Sequence, residues 1–278
     1  MSDSVIKESV PLTRKSQGTT TFLLPAMTLW QRELVRFFRQ PSRVIGALGT
    51  PLLFWILIGS GLGSSFRQAG TSGGGHYLEY FFPGMLLLIV MFTSIFASFS
   101  LIQDRQEGFL QAVMVSPASR GSIVLGKITG GATIALLQAL IVTCLAPLIG
   151  IPIHLATGFI VAGVVLLIAL SLTALGFALA WPMDSIQGFH GIMNLLLMPM
   201  WLLSGALFPA SGASGWLRII MELNPLTYGQ NLLRWALAPT SVPPGTSIAV
   251  SAVITIAFAA LTYALSWIMI CRPKTRVR

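Results

Sequence analysis

Six times the chain runs through a long stretch with no charged side chain: 44–62, 80–102, 128–150, 157–181, 191–208 and 247–270. The hydrocarbon core of a bilayer is about 30 Å thick, and ~20 residues of helix cross it. Backbone amides inside lipid find no water, so each run must close its own hydrogen bonds as a helix. The sequence therefore predicts an all-α polytopic membrane protein with six transmembrane helices. Only 9% of the 278 residues are charged, against about 25% in a soluble domain. The net charge of +9 does not point to nucleic acid, because the basic residues gather at the ends of the apolar runs and build no single surface.

Their distribution sets the orientation. With the N-terminus inside, segments 1–43, 103–127, 182–190 and 272–278 carry seven, three, none and four Lys or Arg, while the opposite side carries three in all. Positive charge stays on the cytosolic side, so both termini are expected in the cytosol, together with segment 103–127 and the Asp184 link. Residues 1–24 read as a disordered cytosolic tail and 272–278 as a basic one. Residues 1–21 are polar and lack the apolar stretch of a cleavable signal peptide. Cys144 and Cys271 fall near opposite faces, which predicts no disulfide, and no metal-ligand spacing occurs.

Two segments are amphipathic without being spans. At helical spacing, 25–40 puts Ala26, Met27, Trp30, Leu34, Phe37 and Phe38 on one face. Arg32, Glu33, Arg36, Arg39 and Gln40 fall on the other, with Leu29 and Val35 out of register. This predicts an interfacial helix over 25–43, aromatics toward lipid and arginines toward the headgroups. Segment 209–245, entered at Pro209, has Trp and Leu at helical spacing but carries Arg218, Glu222 and Arg234. Three charges are too costly at the centre of a bilayer. The expectation is a pair of re-entrant helices dipping into the outer face and broken at Asn224-Pro225.

Several chemistries are tested and set aside. Gly121 to Lys127 matches the spacing of a phosphate-binding loop, but Ile128 stands where Ser or Thr should meet magnesium, no strand precedes it, and a lipid-spanning helix follows. Gly126 and Gly130 instead suit close approach of a neighbouring helix, and Lys127 a headgroup anchor. Ser204 lacks a histidine at its own depth for a serine hydrolase, since His190 lies about 21 Å along the same helix. Ion-coupled carriers place charged relays inside the bilayer, and none of the six runs holds a charge, so the driving energy is expected to come from elsewhere.

The remaining candidate is the polar island 103–127. Asp104, Arg105, Glu107, Arg120 and Lys127 surround a short amphipathic piece in which Phe109, Leu110, Val113 and Met114 form an apolar edge, closed by Ser116-Pro117. Four apolar residues at that spacing suit a docking helix better than a solvated loop.

The run from Asp104 through Glu107-Gly108-Phe109-Leu110, Ser116-Pro117, Arg120 and Gly126-Lys127 resembles the corresponding loop of type-2 ATP-binding-cassette exporter permeases. These are the membrane subunits of daunorubicin-type and nodulation-factor exporters. A second block, Ser204-Gly205 to Phe208-Pro209, then Asn224-Pro225 to Tyr228, then Arg234, is similar to the same family. The resemblance spans about 26–271. It departs at Phe109, where many members carry Thr, and in its short first outer loop. It implies a permease without its own catalytic site or cofactor, with ATP and magnesium bound by a separate cytosolic ATPase subunit. It also implies a second permease subunit, identical or not, a lipid environment and a bacterial cytoplasmic membrane. The ATPase-coupling helix would then be the segment around Asp104, Arg105, Glu107, Gly108, Phe109, Leu110, Val113, Met114, Ser116 and Pro117. The interfacial helix, with Trp30, Arg32, Arg36, Phe37, Phe38 and Arg39, would flank it, 182–190 would be a smaller contact, and 216–238 would shape the outer exit. Charge-free spans favour a hydrophobic or amphipathic cargo such as a drug, lipid or glycolipid. The rival is an ATPase-independent secondary carrier or lipid flippase.

Overall fold

The computed structural model describes residues 20–62, 77–116, 118–237 and 247–271. The start of the expected tail, most of the first outer loop, Pro117, the end of the 209–245 segment and the basic C-terminal tail lie outside the described residues. Within them the chain forms α1 (Thr20–Phe38), α2 (Pro41–Leu62), α3 (Tyr77–Gln106), α4 (Phe109–Val115) and α5 (Arg120–Thr143). There follow α6 (Leu155–Ala180), α7 (Ile186–Trp201), α8 (Gly215–Leu223), α9 (Pro225–Leu237) and α10 (Ile248–Cys271), with no strand among the described residues. Six of these, α2, α3, α5, α6, α7 extended to Ala206, and α10, are long and apolar enough to cross a membrane.

α3 is the central post. Of its most apolar stretch 83% is buried, against 17% for α10 and 22% for α2. It packs against α2, α5, α6, α7 and α9. Small residues let it do so: Gly131 of α5 meets Ala97 of α3 and Thr173 of α6, and Gly176 of α6 lies against Ser98. Lipid does not drive apolar faces together, so close backbone packing is the main attraction between such helices.

Several boundaries differ from those the sequence suggests. α1 starts at Thr20, and Pro25 lies inside it. Pro41 does not merely stop α1 but opens α2, since proline at the first helical position sacrifices no internal bond. The polar island is not a loop. α3 continues through Gln106 and α5 begins at Arg120, where Ser119 caps it by accepting from the Ser122 amide. Nothing in 103–106 breaks a helix, and polarity alone does not end one. The third apolar run gives way after Thr143 to a 3-10 turn, Ala146–Ile149. α7 continues through one π turn, Leu202–Ala206, with Gly205 at φ 81°.

α8 and α9 are two short helices parted at Asn224, whose extended ψ of 117° is what a following proline requires. The Asn224 amide donates to the Met200 carbonyl at 2.5 Å and its oxygen accepts from the Leu226 amide at 3.1 Å, tying the break to α7. Pro209 leads into a 3-10 turn, Ala210–Gly212. Glu222 pairs with Arg218 at 3.1 Å on the exposed side of α8. Arg234 behaves differently. It is buried, donates to the Gly205 carbonyl at 2.6 Å and lies 3.9 Å over the Tyr80 ring. The π turn leaves that carbonyl without a regular helical partner, and Arg234 and the Tyr80 hydroxyl, at 3.2 Å, supply two.

Candidate coupling site

At the end of the bundle that carries α4, three helices meet around one carboxylate. Asp104, in the last turns of α3, has no exposed surface. Arg32 of α1 grips it with both guanidinium nitrogens, at 2.9 and 2.7 Å, and Arg36 adds a third contact at 2.6 Å. Lys127 of α5 donates to its other side, to Ser100 at 3.1 Å and to Glu33 of α1 at 2.5 Å. Around this core Arg36 also reaches Gln103 at 3.0 Å and Glu107 at 3.2 Å, and Arg43 of α2 reaches Gln103 at 2.8 Å. Paired charges are the form in which ionic groups tolerate such burial. Burial alone would lower the Arg32 guanidinium, but its hydrogen bond to Asp104 and the nearby carboxylates outweigh this and hold it above its ordinary value.

The packing of α1 explains how the cluster forms. Phe22 meets Gly121, Ala26 and Leu29 meet Gly126, and Glu33 meets Gly130. Contacts advance together along both helices, so α1 runs beside the first half of α5. A Cβ on Gly126 would fall 2.6 Å from the Ala26 carbonyl oxygen, so this approach needs glycine. Trp30 closes the seam by donating to Thr133 at 3.0 Å.

The face assignment for α1 needs correction. Ala26, Leu29, Glu33 and Phe37 form its packed side, while Met27 and Phe38 are exposed. Leu29 is thus no misfit, and Glu33 does not face the headgroups. Arg32 and Arg36 turn inward to Asp104; Arg39 alone of the expected arginines stays exposed. Lys127 is no snorkelling anchor but 5% exposed inside the cluster. The sequence pattern missed Glu33 and Lys127 as partners, although Glu33 stands in register with Leu29 and Phe37, the signal that it faces inward.

α4 rests on this cluster. Gly108, at φ 75°, makes the turn from α3 in a conformation that costs other residues about 1–2 kcal/mol. Leu110 is buried, and Phe109 lies under Arg32, whose guanidinium carbon is 3.8 Å from the ring centroid. Val113 is partly buried against the core. Met114 is 43% and Val115 87% exposed, and Glu107, just before α4, is exposed too. Ser116 turns its hydroxyl back to the Val113 carbonyl at 2.7 Å, closing α4. Asp104, Arg105 and Leu110, which the sequence groups with the contact residues, therefore face inward and support the helix. Arg105 binds the carbonyls of Trp181 and Met183 and pairs with Asp184 at 3.1 Å, while Gln106 donates to the Asp184 carbonyl at 2.8 Å. These bonds fasten the base of α4 to the α6–α7 link.

A family model described as ABC-2 type transporter matches residues 26–238, most of the chain and all of this site. The chain belongs to the ABC-2 type transporter family. Among relatives of this ABC-2 protein, a putative transport permease ycf38 of Cyanophora paradoxa is 28% identical over 232 residues, 82% of this chain and 79% of that one. Nodulation protein J of Neorhizobium galegae is 27% identical over 226 residues, 80% and 84% of the two chains. Nodulation protein J of Rhizobium meliloti (strain 1021) is 25% identical over 223 residues, 75% and 79%. The ABC-2 chain is therefore a multi-pass membrane transport subunit.

Proposed function

We propose that this ABC-2 subunit is the permease of an ATP-driven exporter and that α4 is where a separate cytosolic ATPase subunit drives it. The observation that carries this reading is the contrast within α4. Its root follows the end of α3, which buried charges tie to α1 and α5, and packs there through Leu110 and through Phe109 beneath Arg32, while Met114 and Val115 stand free at the tip. A push on the tip is thereby transmitted to three helices at once. The partner would hold ATP and magnesium; the permease would work beside a second permease subunit in a bacterial cytoplasmic membrane. Many apolar side chains are exposed along α2, α6, α7 and α10, which suits a drug, lipid or glycolipid moved outward.

Buried Asp104 and Lys127 lie within helices long enough to span, so the sequence argument that no spanning element carries charge does not hold. An ion-coupled carrier thus stays in view as the second reading. The cluster's mutual saturation favours a structural tie, because a relay needs a group that is open to water at some stage. The deciding experiment co-purifies the permease with its ATPase in vesicles. Gly108→Pro or Glu107→Ala should abolish permease-stimulated ATP hydrolysis. Uphill transport by the permease alone under a pH gradient would overturn the proposal in favour of the carrier.

A further inference from the structure

At the end of the bundle away from α4, a furrow of about 450 Å³ opens between α5 and α6. α5 ends at Thr143 and α6 begins at Leu155, with the 3-10 turn Ala146–Ile149 and a short link between them. One wall of the furrow is Leu140 of α5. The other is a single face of α6, where Leu155, Gly158, Phe159 and Ala162 recur at spacings of three and four residues. His154, exposed where the link meets α6, is the only polar side chain that lines it. Two small residues keep the furrow open. A Cβ on Gly158 would meet nothing within 4 Å, and Ala162 follows one turn later. Leu155 and Phe159 are exposed beside them.

The dimensions choose the occupant. From His154 to Ala162 the helix axis advances about 12 Å at 1.5 Å per residue. That is most of the ~15 Å that one leaflet contributes to the hydrocarbon core. Spread over this length, the volume corresponds to a channel about 7 Å across. A helix with its side chains needs about 10–12 Å, so a span of a second copy is too wide to enter. Water finds no partner beyond His154. A single acyl chain matches the width, the depth and the apolar lining.

We propose that this furrow seats one acyl chain of a membrane phospholipid, with the headgroup beside His154. Lipid tails are as apolar as the furrow, so expulsion from water supplies no preference. The preference comes from contact. Fixed walls on two helices hold more atoms at van der Waals distance from the chain than mobile neighbouring tails do. The site requires only that α5 and α6 cross the membrane, for which both are long and apolar enough, and holds whether or not α4 meets an ATPase.

The full-length chain in phosphatidylcholine nanodiscs would be irradiated with a trace of phosphatidylcholine carrying a diazirine within one acyl chain, and the adducts mapped by peptide mass spectrometry. Labelling of 153–162 should exceed that of the exposed α10 positions Val253 and Leu261 by about fivefold, the gain of a handful of extra van der Waals contacts. Gly158→Leu and Ala162→Phe, which fill the furrow from two successive turns, should each bring it down to the α10 level while α10 labelling stays constant. Gly163→Leu, equally open but outside the furrow, should change nothing. Labelling of 153–162 no stronger than that of α10 would overturn the proposal. So would labelling that survives both filling variants, or that falls equally in Gly163→Leu. Adducts scarcer than on α10, together with cross-links from this segment to another copy of the chain, would assign the furrow to that copy and likewise overturn it.

Discussion

The Glu33–Lys127 pair offers the sharpest test of how α1 is held. Both side chains are 4% exposed and their charged atoms are 2.5 Å apart. Lys127→Met would leave the Glu33 carboxylate buried, with Arg32 at 3.7 Å as its remaining cation. Glu33→Gln would leave three cations, Arg32, Arg36 and Lys127, around Asp104 as the one remaining buried carboxylate, with the exposed Glu107 reaching only Arg36. Removing one member of a buried pair costs about 3–5 kcal/mol, because the other is stranded. Independent costs would then sum to about 6–10 kcal/mol. The double variant, Glu33→Gln with Lys127→Met, removes one charge of each sign and keeps Asp104 between its two arginines. Replacing a whole buried pair is often close to neutral, so the double should cost less than either single, a coupling of at least ~3 kcal/mol. The assay is equilibrium unfolding of the purified chain in mixed micelles, followed by helical circular dichroism. Losses that add to within about 0.5 kcal/mol would refute the view that the two residues act as a pair.

Other outcomes follow from the same geometry. Val115→Asp and Met114→Asp, at exposed positions of α4, should leave unfolding within about 0.5 kcal/mol of wild type yet suppress ATPase stimulation; normal stimulation would remove α4 from the contact. Gly126→Leu should detach α1 from α5, because its Cβ alone would meet the Ala26 carbonyl oxygen at 2.6 Å; faster proteolysis between α1 and α2 would report it. Arg234→Met should cost about 1 kcal/mol for the lost hydrogen bond to the Gly205 carbonyl, since the Tyr80 hydroxyl still donates to it at 3.2 Å, read in the same unfolding assay. Arg105→Ala should loosen the α6–α7 link without unfolding the bundle, visible as faster amide exchange around Asp184.

The sequence by itself determined the class of this protein. Six charge-free runs must become helices in lipid, since no other local structure satisfies their amides. The break at Asn224-Pro225 was equally legible, because proline constrains the residue before it whatever surrounds it. Local chemistry also marked the amphipathic α4. What it could not say was which residues face one another. In an apolar chain both the lipid side and the packed side of a helix are apolar, so periodicity lost its usual meaning for α3, which is enclosed, and for α10, which is largely open. Charges were misread for the same reason. Near the end of a span, Lys127 looks like an anchor to the headgroups, and Glu33 like a member of a polar face. Only the parallel packing of α1 on the glycines of α5 brings both to Asp104. Contact between residues 94 positions apart is a property of the assembled bundle, and no local pattern encodes it.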